Sequence, residues 1–191
     1  GGVEVAKRIR AGEPADVVVL ASKVIDELIA EGRLVGPRVD LVESGVGVAV
    51  RRGAPRPDIS TEEGVRAAVL AAPTISYSTG PSGTWLQQLF ERWGIHETVK
   101  PRVVVPPPGV PVGSLVADGR AALGFQQLSE LINPDGIDLL GPLPASIQTL
   151  TLFSAAVATT SRRKAEARAL IDFLSSPETA EMKRHFGMDA P

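Results

Sequence analysis

Ala15-Asp16-Val17-Val18-Val19-Leu20-Ala21, with Ser22 and a helix-period stretch to Ala30 directly behind it, decides the class of fold. A short uninterrupted β-branched run fits a strand covered on both faces, the habit of sheets wrapped by helices. Ser22 stands where an N-cap is expected, and Gly32 where a helix stops. Ahead of the run, residues 1–12 read as a helix, with Val3, Ala6 and Ile9 at the 3.6 period and Gly12 at the stop.

The same alternation continues down the chain. Residues 45–51 read as a strand, followed by a Pro-rich connector over residues 53–58. Ser60 and Glu63 form a capping-box pattern that opens a helix to about Ala72. Residues 74–78 make a third strand, running into Thr79-Gly80-Pro81-Ser82-Gly83 and a helix over 84–93. A short strand at 103–105, a helix at 112–118 and a strand at 122–126 follow, then a β-rich stretch at 148–158. Thr160-Ser161 cap a final amphipathic helix carrying Ala165, Ala169, Leu170 and Phe173, and a short helix spans 177–186. Strands alternating with helices imply an α/β protein with one or two mostly parallel sheets.

Composition narrows the function. The 191 residues make one domain or two small lobes, and 43% hydrophobic against 22% charged residues supply a real core. Twenty Lys and Arg against 22 Asp and Glu give a charge of −2, which excludes bulk binding to nucleic acid. There is no cysteine, so disulfides, thiol catalysis and common structural zinc sites are excluded. No apolar run reaches the roughly 20 residues of a membrane helix. No metal or cofactor is expected.

Hydrolase, P-loop and HExxH motifs are missing, and the two histidines, His96 and His185, read as structural. The glycine loop is the most suggestive local feature. A loop leaving a strand for a helix start exposes unpaired N–H groups, and Ser78, Thr79, Ser82 and Thr84 add hydroxyls, so an oxyanion or carboxylate can be held there. The same pattern fits a plain helix start with Ser82 as N-cap. A second place is the Pro-Gly loop before residue 112, which leaves the N–H groups of Val112, Gly113 and Ser114 free, or is simply a surface loop. The third is the strand exit at Gln127 and Ser129. No close pair of acids supplies a general acid and base.

The order of these segments resembles the periplasmic molybdate-binding proteins and, more widely, type II solute-binding proteins. The resemblance is carried by Gly1-Gly2 opening a helix, by Ala11-Gly12-Glu13-Pro14-Ala15-Asp16 before the first strand, and by Asp118-Gly119-Arg120-Ala121-Ala122-Leu123-Gly124. The ending, residues 169–177 followed by Phe186-Gly187, is similar to that of the wider group. The resemblance implies a two-lobed fold, lobe one from residues 1–73 and 147–191 and lobe two from 74–146, closing on a ligand in the cleft. It transfers anion-binding roles to Ser82, Gly83, Val112, Gly113 and Gln127, the last where molybdate binders carry a tyrosine. It also implies a periplasmic or otherwise extracytoplasmic location and an ABC permease as partner. The first βα unit of lobe one is absent from the pattern ahead of Gly1. Aconitate isomerase, which interconverts trans- and cis-aconitate, looks like the same group, so an isomerase on this scaffold is the alternative to a receptor. No base for that reaction is evident in the sequence.

Overall fold

The computed structural model describes residues 2–191; Gly1, which the pattern above places at the opening of the first helix, lies outside the described residues. In chain order the elements are α1 (Gly2–Arg10), β1 (Val17–Ala21), α2 (Ser22–Ala30), β2 (Leu34–Arg51), α3 (Glu62–Ala71), β3 (Ile75–Tyr77), α4 (Pro81–Arg92) and α5 (His96–Val99). Then come α6 (Val112–Ala117), β4 (Leu123–Gln127), α7 (Leu128–Leu131), β5 (Ile137–Pro142), β6 (Leu150–Ala158), α8 (Lys164–Ser175) and α9 (Ala180–His185). No helix among the described residues is long and apolar enough to cross a membrane.

The chain divides into two compact units, residues 45–150, and residues 2–44 with 151–191. This differs from the lobe boundaries at 73/74 and 146/147. Residues 45–73 belong with the middle of the chain because Val46, Val48 and Val50 of β2 and Val65, Ala68 and Val69 of α3 share one core with Ile75, Leu86, Phe90 and Phe125. That burial outweighs chain order in deciding where a segment packs.

The unit of residues 45–150 is built on β2. Val46 to Ala49 pair antiparallel with β4, and Gly47 to Arg51 pair antiparallel with β5 on the opposite edge. β3 adds to β4 in parallel, Ile75 beside Leu123 and Tyr77 beside Phe125, and Val103 bridges Ile75 in parallel on the far side. The expected strand at 103–105 is thus a single bridge. Pro106 and Pro107 lack the N–H groups that would extend it. A helix covers each face: Phe90 and Leu86 of α4 pack with Phe125, whereas Val112 and Val116 of α6 close on Gly124. A Cβ at Gly124 would overlap Val116 and stand 3.0 Å from Val112 Cγ1, so only glycine lets α6 approach this strand. Gln148 straps β2 at Val46. Its Oε1 accepts from Val46 N (2.8 Å) and Thr149 N (2.9 Å), and its Nε2 donates to Val46 O (3.1 Å) and Leu143 O (3.4 Å).

In the other unit β1 pairs antiparallel with β6, from Val17 opposite Val157 to Ala21 opposite Phe153. Ala6 and Ile9 of α1 and Ile25 and Leu28 of α2 cover one side of that pair. Leu41, Val42, Ala167 and Ile171 pack with Ala155 and Val157 on the other. Ser161 Oγ donates to Asp16 (2.7 Å), so Asp16 anchors a loop.

The sheet is therefore mixed rather than mostly parallel. Periodicity separates strands from helices but carries no strand direction, and β2 runs against both β4 and β5. Caps shift by a residue or two. Thr61, not Ser60, accepts from Gly64 N at the start of α3, and α4 begins at Pro81 with Gly80 as N-cap, so Ser82 lies inside the helix. The final helices start at Lys164 and Ala180, the latter after a 3-10 turn at Pro177–Thr179.

Candidate ligand-binding site

Parallel register brings three chain exits to one edge of the unit of residues 45–150. β3 and β4 point the same way, so their ends at Tyr77 and Gln127 open on the same side. The segment beside Val103 runs with them, and Ser76, fully buried, ties it down by donating from Oγ to Val104 O (2.8 Å). Ligands of open α/β sheets collect outside the carboxyl ends of the strands. The segments at 78–83, 105–111 and 127–131 all leave from that edge.

The first loop is the best built. Gly80 caps α4 and Pro81 fills its first position, where a missing N–H costs nothing. Thr84 N and Thr84 Oγ1 both bond Gly80 O, at 3.1 and 3.3 Å, so the Thr84 hydroxyl proton is already committed. Ser82 and Gly83 stand in the first turn, where amides have no intrahelical acceptor. Ser78 Oγ lies 2.7 Å from Ser82 Oγ and accepts from Gly80 N at 3.3 Å. Two hydroxyls share one hydrogen bond, which leaves one hydroxyl proton of the pair for a ligand. Tyr77, Ser78, Thr79, Gly83, Thr84, Gln87 and Val105 line a recess of about 200 Å³. None of these side chains is charged. Attraction for an anion there comes from amides, hydroxyls and the positive end of a three-turn helix.

The second loop departs from expectation. Val112 N donates to Gln126 Oε1 (3.0 Å) and Ser114 N to Pro111 O (3.1 Å), so neither is free, and Gly113 is buried against Pro134. Gln126 projects onto α6 because it sits next but one to Gly124 on β4, where successive side chains alternate faces. In the third loop Gln127 is buried at the last position of β4, opposite Val46, and Ser129 is the second residue of α7. Both side chains belong to residues that already have partners.

One group at this edge escapes a search for paired acids. Glu130, in the single turn of α7, accepts a hydrogen bond from the Gln126 side chain, and although the residue keeps solvent exposure, burial around its carboxyl raises its pKa. The available signal is the polar run Gln126-Gln127-Leu128-Ser129-Glu130 at a strand exit, in which the acid stands four residues beyond the first amide. His96 pairs with Glu97 and His185 packs edge-on to Phe186. Among the described residues no group of three or more His, Asp or Glu could hold a metal ion.

Comparison with known proteins gives a consistent result. Residues 1–189 match the family model described as bacterial extracellular solute-binding protein. The chain is 39% identical over 188 residues to an aconitate isomerase of Pseudomonas sp, covering 96% of this chain and 71% of that protein. It is 27% identical over 109 residues to a molybdate-binding protein of Rhodobacter capsulatus, covering 57% of this chain and 43% of that protein. The solved periplasmic molybdate-binding protein of Azotobacter vinelandii superposes with a TM-score of 0.80 at 22% identity, over the whole of this chain and 84% of its own. Fold, motif order and family match agree, and the chain belongs to the bacterial extracellular solute-binding protein family.

Proposed function

We propose that this chain is an extracytoplasmic, periplasmic receptor that captures a small anion for uptake through an ABC-type permease. The ligand is an organic carboxylate or a molybdate-like oxyanion. The observation that carries the reading is the uncharged recess beside the first turn of α4, lined by Gly83 and by Ser78, whose hydroxyl shares one hydrogen bond with that of Ser82. Neutral donors in that arrangement bind a negative ligand without a basic residue, in keeping with the chain's charge of −2. Gln127 at the position of the molybdate binders' tyrosine favours a carboxylate over molybdate.

The second reading is an isomerase of an unsaturated tricarboxylate on the same scaffold. It is favoured by 39% identity to an aconitate isomerase across 96% of this chain. Both readings place a carboxylate at the same strand edge. Calorimetry and thermal-shift runs with molybdate, tungstate, sulfate, citrate and trans-aconitate, each repeated on Ser82→Ala with Gln127→Ala, test the shared site. Unchanged affinity in the double variant overturns it. Incubation with trans-aconitate, followed by NMR for cis-aconitate, separates the readings. Turnover removes the pure receptor; a shift with molybdate alone removes the isomerase.

A further inference from the structure

We propose that Glu130 is the group that removes and returns the allylic proton of an unsaturated tricarboxylate bound at the β3–β4 edge; the proposal rests on the isomerase reading. Three observations converge on this residue. It stands in the turn that follows β4, and β4 runs parallel to β3, Tyr77 beside Phe125, so this turn and the loop that begins at Ser78 leave the sheet at the same edge. It keeps solvent exposure, so its carboxyl is open to a small molecule. Its orientation is set by Gln126, and the chemistry of that amide is fixed by a third group. Val112 N can only donate and takes Gln126 Oε1 at 3.0 Å, which leaves the amide NH₂ as the end that faces Glu130. Glu130 is therefore held as an acceptor, the form a base needs before it takes a proton.

Opposing influences tune the group. Burial, the largest, raises its pKa, and the Gln126 hydrogen bond is among those that restrain the rise. A carboxylate lifted above the usual glutamate range is a better base and still returns its proton readily.

The step balances without any co-reactant. The C–H bond of the methylene next to the double bond breaks, its proton goes to a Glu130 oxygen, and its electron pair spreads over the three-carbon allyl unit and the adjoining carboxylates. A C–H bond then forms at the other end of that unit with the proton from Glu130. The double bond has moved, the geometry about it is re-set, and Glu130 is a carboxylate again. The Ser82 and Gly83 amides at α4 are suited to hold a substrate carboxylate while this happens.

The test compares wild type, Glu130→Gln and Glu130→Asp on trans-aconitate in D₂O, reading cis-aconitate formation and deuterium incorporation by NMR, with ligand affinity by calorimetry. General-base loss predicts a fall in kcat of about 10²- to 10⁴-fold in Glu130→Gln, affinity within about threefold of wild type, and partial recovery in Glu130→Asp. The acid limb of the wild-type pH profile is expected to lie above the ordinary glutamate value of about 4.3. Wild type without turnover overturns the isomerase reading and the proposal together. Wild type that turns over alongside an equally fast Glu130→Gln overturns the proposal alone. Loss of affinity with kcat intact in Glu130→Gln also overturns it, because Glu130 is then a ligand contact and not a base.

Discussion

A Cβ on Gly83 would overlap the carbonyl oxygen of Ser78 and stand 2.8 Å from its carbonyl carbon. The loop that leaves β3 thus folds back onto the first turn of α4 with no room for a side chain. Backbone cannot retreat cheaply from such an overlap. Gly83→Ala is expected to push the Ser78 carbonyl away, separate Ser78 from Ser82 and weaken ligand binding at least tenfold. Calorimetry with the ligand identified by thermal shift measures this, and unchanged affinity would place the ligand elsewhere.

Gln126→Leu removes the acceptor of Val112 N at a buried position. An unsatisfied buried donor costs about 1–3 kcal/mol. Each kcal/mol lowers Tm by roughly 2–4 °C in a chain of this size. Differential scanning calorimetry should register the drop.

Gln148 serves four backbone groups at once, and Gly45 leaves it the space, since a Cβ there would stand 2.9 Å from its Nε2. Gln148→Ala is expected to destabilise by about 1–3 kcal/mol or more, since Val46 loses partners on both sides of its peptide. Denaturant midpoints check this. A loss below ~0.5 kcal/mol would mean that water replaces the amide.

Asp40 accepts from the fully buried Ser154 hydroxyl at 2.6 Å and from Arg38 at 2.9 Å, and these bonds, the Ser154 bond first, hold its carboxyl below the ordinary aspartate range. A depressed pKa in the folded state means that its stabilisation is complete above the unfolded value of about 3.9 and is lost as pH falls through the lower folded value. Wild type should exceed Asp40→Asn in stability near neutral pH. The gap should close below about pH 4. A gap that stays constant between pH 3 and 7 would contradict the assignment.

The helices and short strands are legible because their apolar residues keep clean periods, as in Val17–Ala21. β2 is not. Eighteen residues long, it reads as a strand only from Gly45, because Pro37 and the charged Arg38, Asp40 and Glu43 mask an extended stretch in which two of the buried residues, Leu41 and Val42, sit side by side. At the site, hydroxyls and glycines of the 78–84 loop stand out as residue types. What stays hidden is who bonds whom. Nothing local says that Val112 N meets a side chain 14 positions away, or that the amide so oriented turns its other end to Glu130. Such pairings depend on strand register, a property of the assembled sheet.

The division of the chain also orders its folding in time. Residues 45–150 are contiguous, so every strand of that unit has been synthesised once position 150 is made. The other unit has no such privilege, because β1 pairs with β6 and Asp16 waits for Ser161, 145 positions later. Closing so long a loop is entropically slow, and until it closes the Val17–Ala21 strand lacks the β6 partner for its backbone groups. In a growing chain the middle unit is therefore complete in sequence while β1 still lacks its partner strand.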